Sequence, residues 1–253
     1  MLRTRVIPSL LLSNRRLVKT VRFKKRVYVG DPINTVKIFN DKEVDELVLL
    51  DIDATVQKRE PDYAYLELVA TQCFMPLAYG GGIKSAAQVR RLLSLGIEKV
   101  IINSAAVADS DLVREAAEQA GSQSTVVSID VKKTWRAKYD IRTHGGRHST
   151  GHDPAEFARK VQDLGAGEIL LNSIDRDGTM SGYDLDLIGR VSRAVTIPVV
   201  ACGGAGKVEH FSQAIAIGGA AAVAAGSMFI FTGHHRAVLI NFPSRAVLES
   251  ALP

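Results

Sequence analysis

The chain has 253 residues, 46% of them hydrophobic and 23% charged, the balance of a folded globular protein rather than of a disordered or fibrous one. No uncharged apolar run approaches the roughly 18 residues that a membrane span needs, and no basic-then-apolar leader opens the chain, so a cytoplasmic protein is expected. The net charge of +5 is concentrated in one early segment, which suits a phosphorylated small molecule better than nucleic acid or a membrane surface.

In chain order, residues 5–12 read as a first strand, closed by Ser13-Asn14. Residues 15–26 are strongly basic, with Lys19, Arg22, Lys24 and Lys25 among them; they are expected to form either a solvated loop or a mobile lid over an anionic substrate. Asp31-Pro32 has the pattern of an N-cap followed by proline at the first helical position, opening a helix to about Asn40. Residues 47–50 form the second strand, with Asp51 and Asp53 just beyond it. A helix over 61–73 leads to a third strand at 76–79 and then Gly80-Gly81-Gly82, where the backbone can approach a ligand closely. Residues 85–95 are helical, with Gly96 as the cap, and 99–102 are strand four. Asn103-Ser104 then open a helix whose free amides favour an anion.

The second half follows the same plan. Residues 125–129 are strand five, ending at Asp130, and the alternation over 135–141 before His144-Gly-Gly-Arg147 predicts a hairpin after it. A helix covers 154–164, strand six 168–172 and strand seven 198–201. Gly203-Gly204 begin a second glycine turn, residues 220–224 are strand eight, and a closing helix follows from about His235.

Glu46-Leu-Val-Leu-Leu-Asp-Ile-Asp53 returns as Glu168-Ile-Leu-Leu-Asn-Ser-Ile-Asp175. Pro76 and Pro198, Gly81 and Gly203, and Gly96 and Gly218 keep the same offset of 122 positions. The chain is therefore two halves of one design, about 1–122 and 123–253. Eight short apolar strands, too short for helices and interleaved with helices, predict one (β/α)8 TIM barrel over the whole chain rather than an open doubly wound sheet. The repeat predicts two phosphate sites on one face: Gly82, Asn103 and Ser104 in one half, and Gly204, Ala225 and Gly226 in the other. Lys19, Asp177 and Gly178 complete the expected ligand-binding set.

Other chemistries fit less well. Cys73 and Cys202 match no disulfide or metal spacing. His144, His148 and His152 are separated by glycines that preclude a ligand-bearing helix, so no metal is expected, and no cofactor. Asp51 and Asp53 read equally well as strand-end carboxylates bonding loop amides, and Asp175 as a brace. A nucleic-acid interface at residues 15–26 lacks aromatic residues beyond Phe23 and Tyr28.

With Gly80-Gly-Gly-Ile83, Lys99 to Val107, Ser173-Ile-Asp-Arg-Asp-Gly-Thr179 and Gly203-Gly-Ala-Gly-Lys207 in place, the chain resembles the HisF family nearly end to end. HisF proteins are the cyclase subunits of imidazole glycerol phosphate synthase. The resemblance implies a barrel that docks a HisH-type glutaminase on its amino-terminal face and receives ammonia through its core, to close an imidazole ring on a bisphosphorylated ribotide. It also implies two aspartates as general acid and base, one after strand one and one after strand five. Asp130 matches the second. Leu11 stands in the place of the first, and aligning the two halves independently sets Leu10-Leu11 against Ile129-Asp130. Leucine cannot move a proton, so efficient ring closure is not expected. Arg5, Glu46, Lys99 and Glu168 match the charged ring resembling an ammonia gate in HisF proteins, and each lies near the start of a strand. A barrel with gate and phosphate cradles but one aspartate is similar to HisF-like paralogues associated with N-acetyl sugar amidotransferases of surface-polysaccharide synthesis. Authentic histidine biosynthesis, a scaffold that only activates its glutaminase, and a sugar isomerase are the alternatives.

Overall fold

Runs such as Leu47-Val-Leu-Leu50 and Glu168-Ile-Leu-Leu171 are apolar on both faces, so they are stable as strands only when covered from both sides. A computed structural model, which describes residues 4–252, satisfies that demand with a closed barrel. Its strands are β1 (Arg5–Ser13), β2 (Leu47–Asp51), β3 (Leu77–Gly80), β4 (Lys99–Ile102), β5 (Thr125–Lys133), β6 (Glu168–Ser173), β7 (Val199–Cys202) and β8 (Ala222–Ala225). All eight pair in parallel with their sequence neighbours, and β8 closes on β1 with Arg5 opposite Ala222 and Pro8 opposite Ala225. Among the described residues, eight longer helices surround them, α1 (Pro32–Asp41), α2 (Tyr63–Ala70), α3 (Ala86–Ser94), α4 (Asp111–Ala120), α5 (Pro154–Asp163), α6 (Leu185–Ser192), α7 (Val208–Ala216) and α8 (Arg245–Ala251), and two short ones, Ser104–Ala108 and Ser227–Ile230, follow the fourth and eighth strands. The caps repeat with the halves. Asp31 accepts from Asn34 N at the start of α1, and Asp153 accepts from Ala155 N and Glu156 N at the start of α5, each followed by proline.

There are two cores. The larger fills the space between barrel and helices, around side chains such as Phe39, Leu66, Val89, Val161 and Phe211. The smaller lies inside the barrel: Ile7, Val48, Ala78, Ile101, Val126, Leu170, Val200, Ala222 and Ala224. The interior is packed rather than hollow, with a cavity of only about 10 Å³ reaching from Glu46 and Glu168 up to Ile101 and Leu170. That is roughly the room one water-sized molecule needs.

Strand register fixes how the halves superpose. Leu11 of β1 faces Leu50 of β2, and Asp130 of β5 faces Asn172 of β6. Leu50 and Asn172 are 122 positions apart, so Leu11 occupies in its half the place that Asp130 occupies in the other.

Three expectations are corrected. The basic segment is neither a loop nor a lid without structure: Arg16–Val21 and Lys24–Gly30 are antiparallel strands that extend β1 into a three-stranded ribbon. Its turns, Asn14-Arg15 and Arg22-Phe23, place both central residues at positive φ, the type I′ arrangement that matches strand twist. Arg22-Phe23 is held there from outside, by bonds from Arg22 N to Asp177 O and from Phe23 N to the Asp177 carboxylate. The hairpin after β5 is present, but its return strand is Tyr139–Thr143, followed by His148–Ser149; Trp135 is exposed in the turn. The closing helix begins at Arg245, because a small hairpin, Phe231–Thr232 with Ala237–Val238, comes first.

Candidate functional site

The carboxyl ends of the strands open into one cavity of about 580 Å³. Gly82, Asn103, Ser104 and Asp130 line one part of it; Gly204, Ala225, Gly226, Lys19, Asp177 and Gly178 line the rest. Every residue assigned to the mouth from the sequence is therefore at this one end of the barrel.

Asp130 is its chemical centre. The carboxylate accepts from Asn103 Nδ2 at 3.1 Å and from Asn172 Nδ2 at 3.2 Å. Burial pushes its pKa up to about 7, against the lowering effect of those two bonds and with a further push from the nearby Asp177 charge. A carboxyl group poised there can both give and take a proton at neutral pH. Asn103 is oriented in turn by Ser104: His144 N donates to Ser104 Oγ at 3.0 Å, and that hydroxyl donates to Asn103 Oδ1 at 3.1 Å.

The pseudo-twofold partner of this constellation is hydrocarbon. The 122-residue offset carries Asn172 onto Leu50 and Asn103 onto Ala225, and the ladder carries Asp130 onto Leu11. All three line the same cavity. The half that carries Leu11 has neither an acid nor an amide at these three places, so the difference between the halves is a whole site rather than one side chain.

Lys19 does not wave over the mouth. It projects from the hairpin strand into the barrel, 5% exposed, and its ammonium donates to the Ser9 carbonyl oxygen. Burial pulls its pKa down to about 8, partly offset by the charge of Asp177. Asp177 itself is spent largely on the hairpin: its carboxylate accepts from Thr20 Oγ1 at 2.9 Å and from Phe23 N at 3.3 Å. Gly178 lies so close under the hairpin that a Cβ would stand 2.1 Å from the Thr20 oxygen. Asp53 and Asp175 brace the two hairpins in the same way, one through Arg26 at 2.7 Å and the other through Lys133 N at 2.8 Å. Asp51 accepts from the amides of Asp53 and Ala54, the strand-end role that one reading of the sequence gives it.

The glycine turns serve packing as much as any ligand. A Cβ on Gly82 would stand 2.6 Å from Arg59 O, and one on Gly204 2.2 Å from Gly182 O. At Gly226 it would stand 2.2 Å from Lys19 Nζ, so that glycine makes room for the ammonium.

At the opposite end Arg5, Glu46, Lys99 and Glu168 do meet. Arg5 bonds both glutamates, and Lys99 bonds Glu46 at 2.8 Å and Glu168 at 3.2 Å. Alternating charges thus close the amino-terminal end below the apolar interior.

Two participants escape a reading of residue types alone. Asn172 looks like a core strand position until the halves are superposed, where an amide falling on Leu50 is the signal. Arg26 carries no signal beyond its charge. Among the described residues no cluster of three or more His, Cys, Asp or Glu could hold a metal ion, and no helix is long and apolar enough to cross a membrane. Both cysteines are free.

The profile of the family described as "Histidine biosynthesis protein" matches residues 5–236. A Pseudomonas aeruginosa protein named "Putative imidazole glycerol phosphate synthase subunit hisF2" is 50% identical over 243 residues, covering 96% of this chain and 97% of that one. A Vibrio vulnificus protein named as the putative subunit hisF3 is 49% identical over 253 residues, 100% of this chain and 97% of its own. A Streptomyces avermitilis protein named "Imidazole glycerol phosphate synthase subunit HisF" is 47% identical over 230 residues, 91% of each chain.

Proposed function

The chain belongs to the histidine biosynthesis protein family as a HisF-type member, and on that premise we propose that it is the barrel subunit of a glutamine amidotransferase complex. A HisH-type glutaminase docks on the amino-terminal face and releases ammonia at the ring of Arg5, Glu46, Lys99 and Glu168. Neutral ammonia, unlike ammonium, crosses the apolar interior at modest cost, because a bare charge there would be severely desolvated. The interior holds room for one such molecule at a time, so passage requires the side chains around Ile101 and Leu170 to yield. At the mouth, Lys19 and the two glycine turns face a phosphorylated ligand, and Asp130 supplies one proton-transfer group.

The observation that carries the finer reading is the unequal mouth: Asp130, Asn172 and Asn103 on one side, and Leu11, Leu50 and Ala225 on the other. Ring closure needs an acid and a base, and removing one member of such a pair costs roughly a hundredfold to ten-thousandfold in rate. The ammonia is therefore passed onward, to an amidotransferase acting on an N-acetyl sugar of surface-polysaccharide synthesis. The second reading, ring closure in histidine biosynthesis, draws on the 47% identity to the Streptomyces subunit.

The two are separated by measuring ammonia-dependent turnover of the bisphosphorylated ribotide beside stimulation of a HisH-type glutaminase. Stimulation with turnover at least a hundredfold below that of a two-aspartate HisF is expected. Turnover at the two-aspartate level would establish the cyclase instead, and stimulation with no turnover and no ammonia release at the mouth would leave a scaffold.

A further inference from the structure

The two amides that hold Asp130 are not equivalent. Asn103 has one orientation open to it, since its Oδ1 accepts the Ser104 hydroxyl while its Nδ2 donates to Ser128 O at 3.0 Å as well as to Asp130. Turning that amide would set its oxygen against the Ser128 carbonyl oxygen and the Asp130 carboxylate, neither of which can donate. Asn172 is different. Its Nδ2 donates to Asp130, but its Oδ1 is buried without a partner, in a residue that is 8% exposed. That oxygen lies beside Gly203, 2.6 Å from where a Cβ would stand, and the Ser173 carbonyl oxygen lies 2.7 Å from the same point. Half a rotation of the Asn172 amide exchanges its ends. Nδ2 then takes the place beside Gly203, where the Ser173 carbonyl oxygen already accepts from Arg176 N at 3.1 Å and Asp177 N at 2.9 Å, and Oδ1 faces Asp130, which is attractive only when the carboxyl carries a proton.

We propose that Asn172 is a positioning residue whose side-chain amide turns over as Asp130 gains and loses its proton, donating to the carboxylate and accepting from the acid. This rests on reading Asp130 as the proton-transfer group of the mouth. Each protonation state of the buried group then has a matched partner. Because Asp130 Oδ2 faces the fixed donor of Asn103, the proton sits on Oδ1, the oxygen nearest Asn172. The other half of the barrel is consistent with this pairing: where the acid is replaced by Leu11, the facing amide is replaced by Leu50.

Other ionisable groups surround Asp130. Asp177 acts on it electrostatically, the charge of Asp130 itself acts on Cys202, Lys19 and His144 line the same cavity, and Arg142, opposite on the neighbouring strand, is engaged with Asp140 at 2.9 Å. None of them is altered by changing Asn172, so differences between variants report on the amide.

The test is a pH titration of the full-length chain by NMR, following the Asp130 carboxyl carbon together with the side-chain amides of Asn172 and Asn103. The Asn172 resonances are expected to shift with the same midpoint as the Asp130 carbon, those of Asn103 to shift far less, and the Asn172 transition to vanish in Asp130→Asn. A fixed donor would be worth about one unit, a tenfold change in the ratio of acid to base; Asn172→Leu removes the donor to the carboxylate and the acceptor for the acid together, so the Asp130 midpoint should move by clearly less than that. Asn172→Thr, whose hydroxyl can donate and accept, should hold it close to the parent value and serves if the leucine variant does not fold. An Asn172 amide that ignores the titration, or a midpoint raised by a full unit or more in Asn172→Leu, overturns the proposal. If Asp130 instead titrates in the ordinary carboxyl range while Asn172 still follows it, the turnover stands and the reading of Asp130 as the neutral-pH acid falls.

Discussion

Replacing Asp130 by asparagine should make the protein more stable, and by an amount that depends on pH. In the unfolded chain this carboxyl ionises near 3.8, whereas burial in the fold pushes it up to about 7. Between those values the folded state retains a proton that the unfolded chain has released, so the folded state loses stability as pH rises through the window. About three pH units at roughly 1.4 kcal/mol each give a penalty of about 4 kcal/mol by pH 8, taken as a ceiling because any water reaching the carboxylate reduces it. Asparagine does not ionise and escapes the penalty, and Asn172 can turn to accept from its amide. Thermal or urea unfolding of both proteins at pH 4 and pH 8 isolates the effect, since the other titrating groups are common to both. Near-equal stability at pH 4 and a gain of about 2–4 kcal/mol at pH 8 are expected, on the order of 4–15 °C in melting temperature for a chain of this size. A gap between the two proteins that is the same at both pH values would refute the assignment of a buried, neutral-pH carboxyl.

Other outcomes follow from neighbouring features. Lys19→Met should flatten the pH dependence of organic bisphosphate binding measured by calorimetry; in the parent, affinity should fall as pH rises through about 8, where the buried ammonium loses its charge, and an identical fall in the variant would remove Lys19 from the ligand site. Lys99→Met leaves Glu46 and Glu168 sharing Arg5 alone, and should cost about 3–5 kcal/mol in urea unfolding; a loss below about 1 kcal/mol would mean that the ring is solvated. Leu11→Asp alone should not raise ammonia-dependent ring closure, since Leu50 and Ala225 offer it no amide, whereas Leu11→Asp with Leu50→Asn should raise it; a full gain from the single change would show that the flanking amides are dispensable.

The barrel was legible because the 122-residue repeat and the short apolar runs carry their own periodicity, and because Asp31-Pro32 is a local cap that needs no tertiary context. The basic hairpin was not. Arg22-Phe23 is a poor pair for positive φ, and it adopts that conformation only because Asp177, 154 positions beyond Phe23, accepts from its backbone. The mouth was legible residue by residue but not in its bonding. Gly82, Gly178 and Gly204 suggest an approach to a ligand, and the closest atoms are in fact other backbone segments. The constant offset carries Asn172 onto Leu50 and Asn103 onto Ala225 but Asp130 onto Pro8, so it is the strand register, Leu11 opposite Leu50 and Asp130 opposite Asn172, that sets Leu11 in the place of Asp130. Helix α8 could not be placed because nothing in the residues before it announces the hairpin that delays it.

The inequality between the two halves gives the mouth a handedness. A cradle with true twofold symmetry would seat a molecule bearing a phosphate at each end equally well in either direction. With a proton donor on one flank and hydrocarbon on the other, the two directions cease to be equivalent: only one of them sets the middle of such a molecule beside the acid. An acid on one flank alone thus turns an indifferent seat into a directional one.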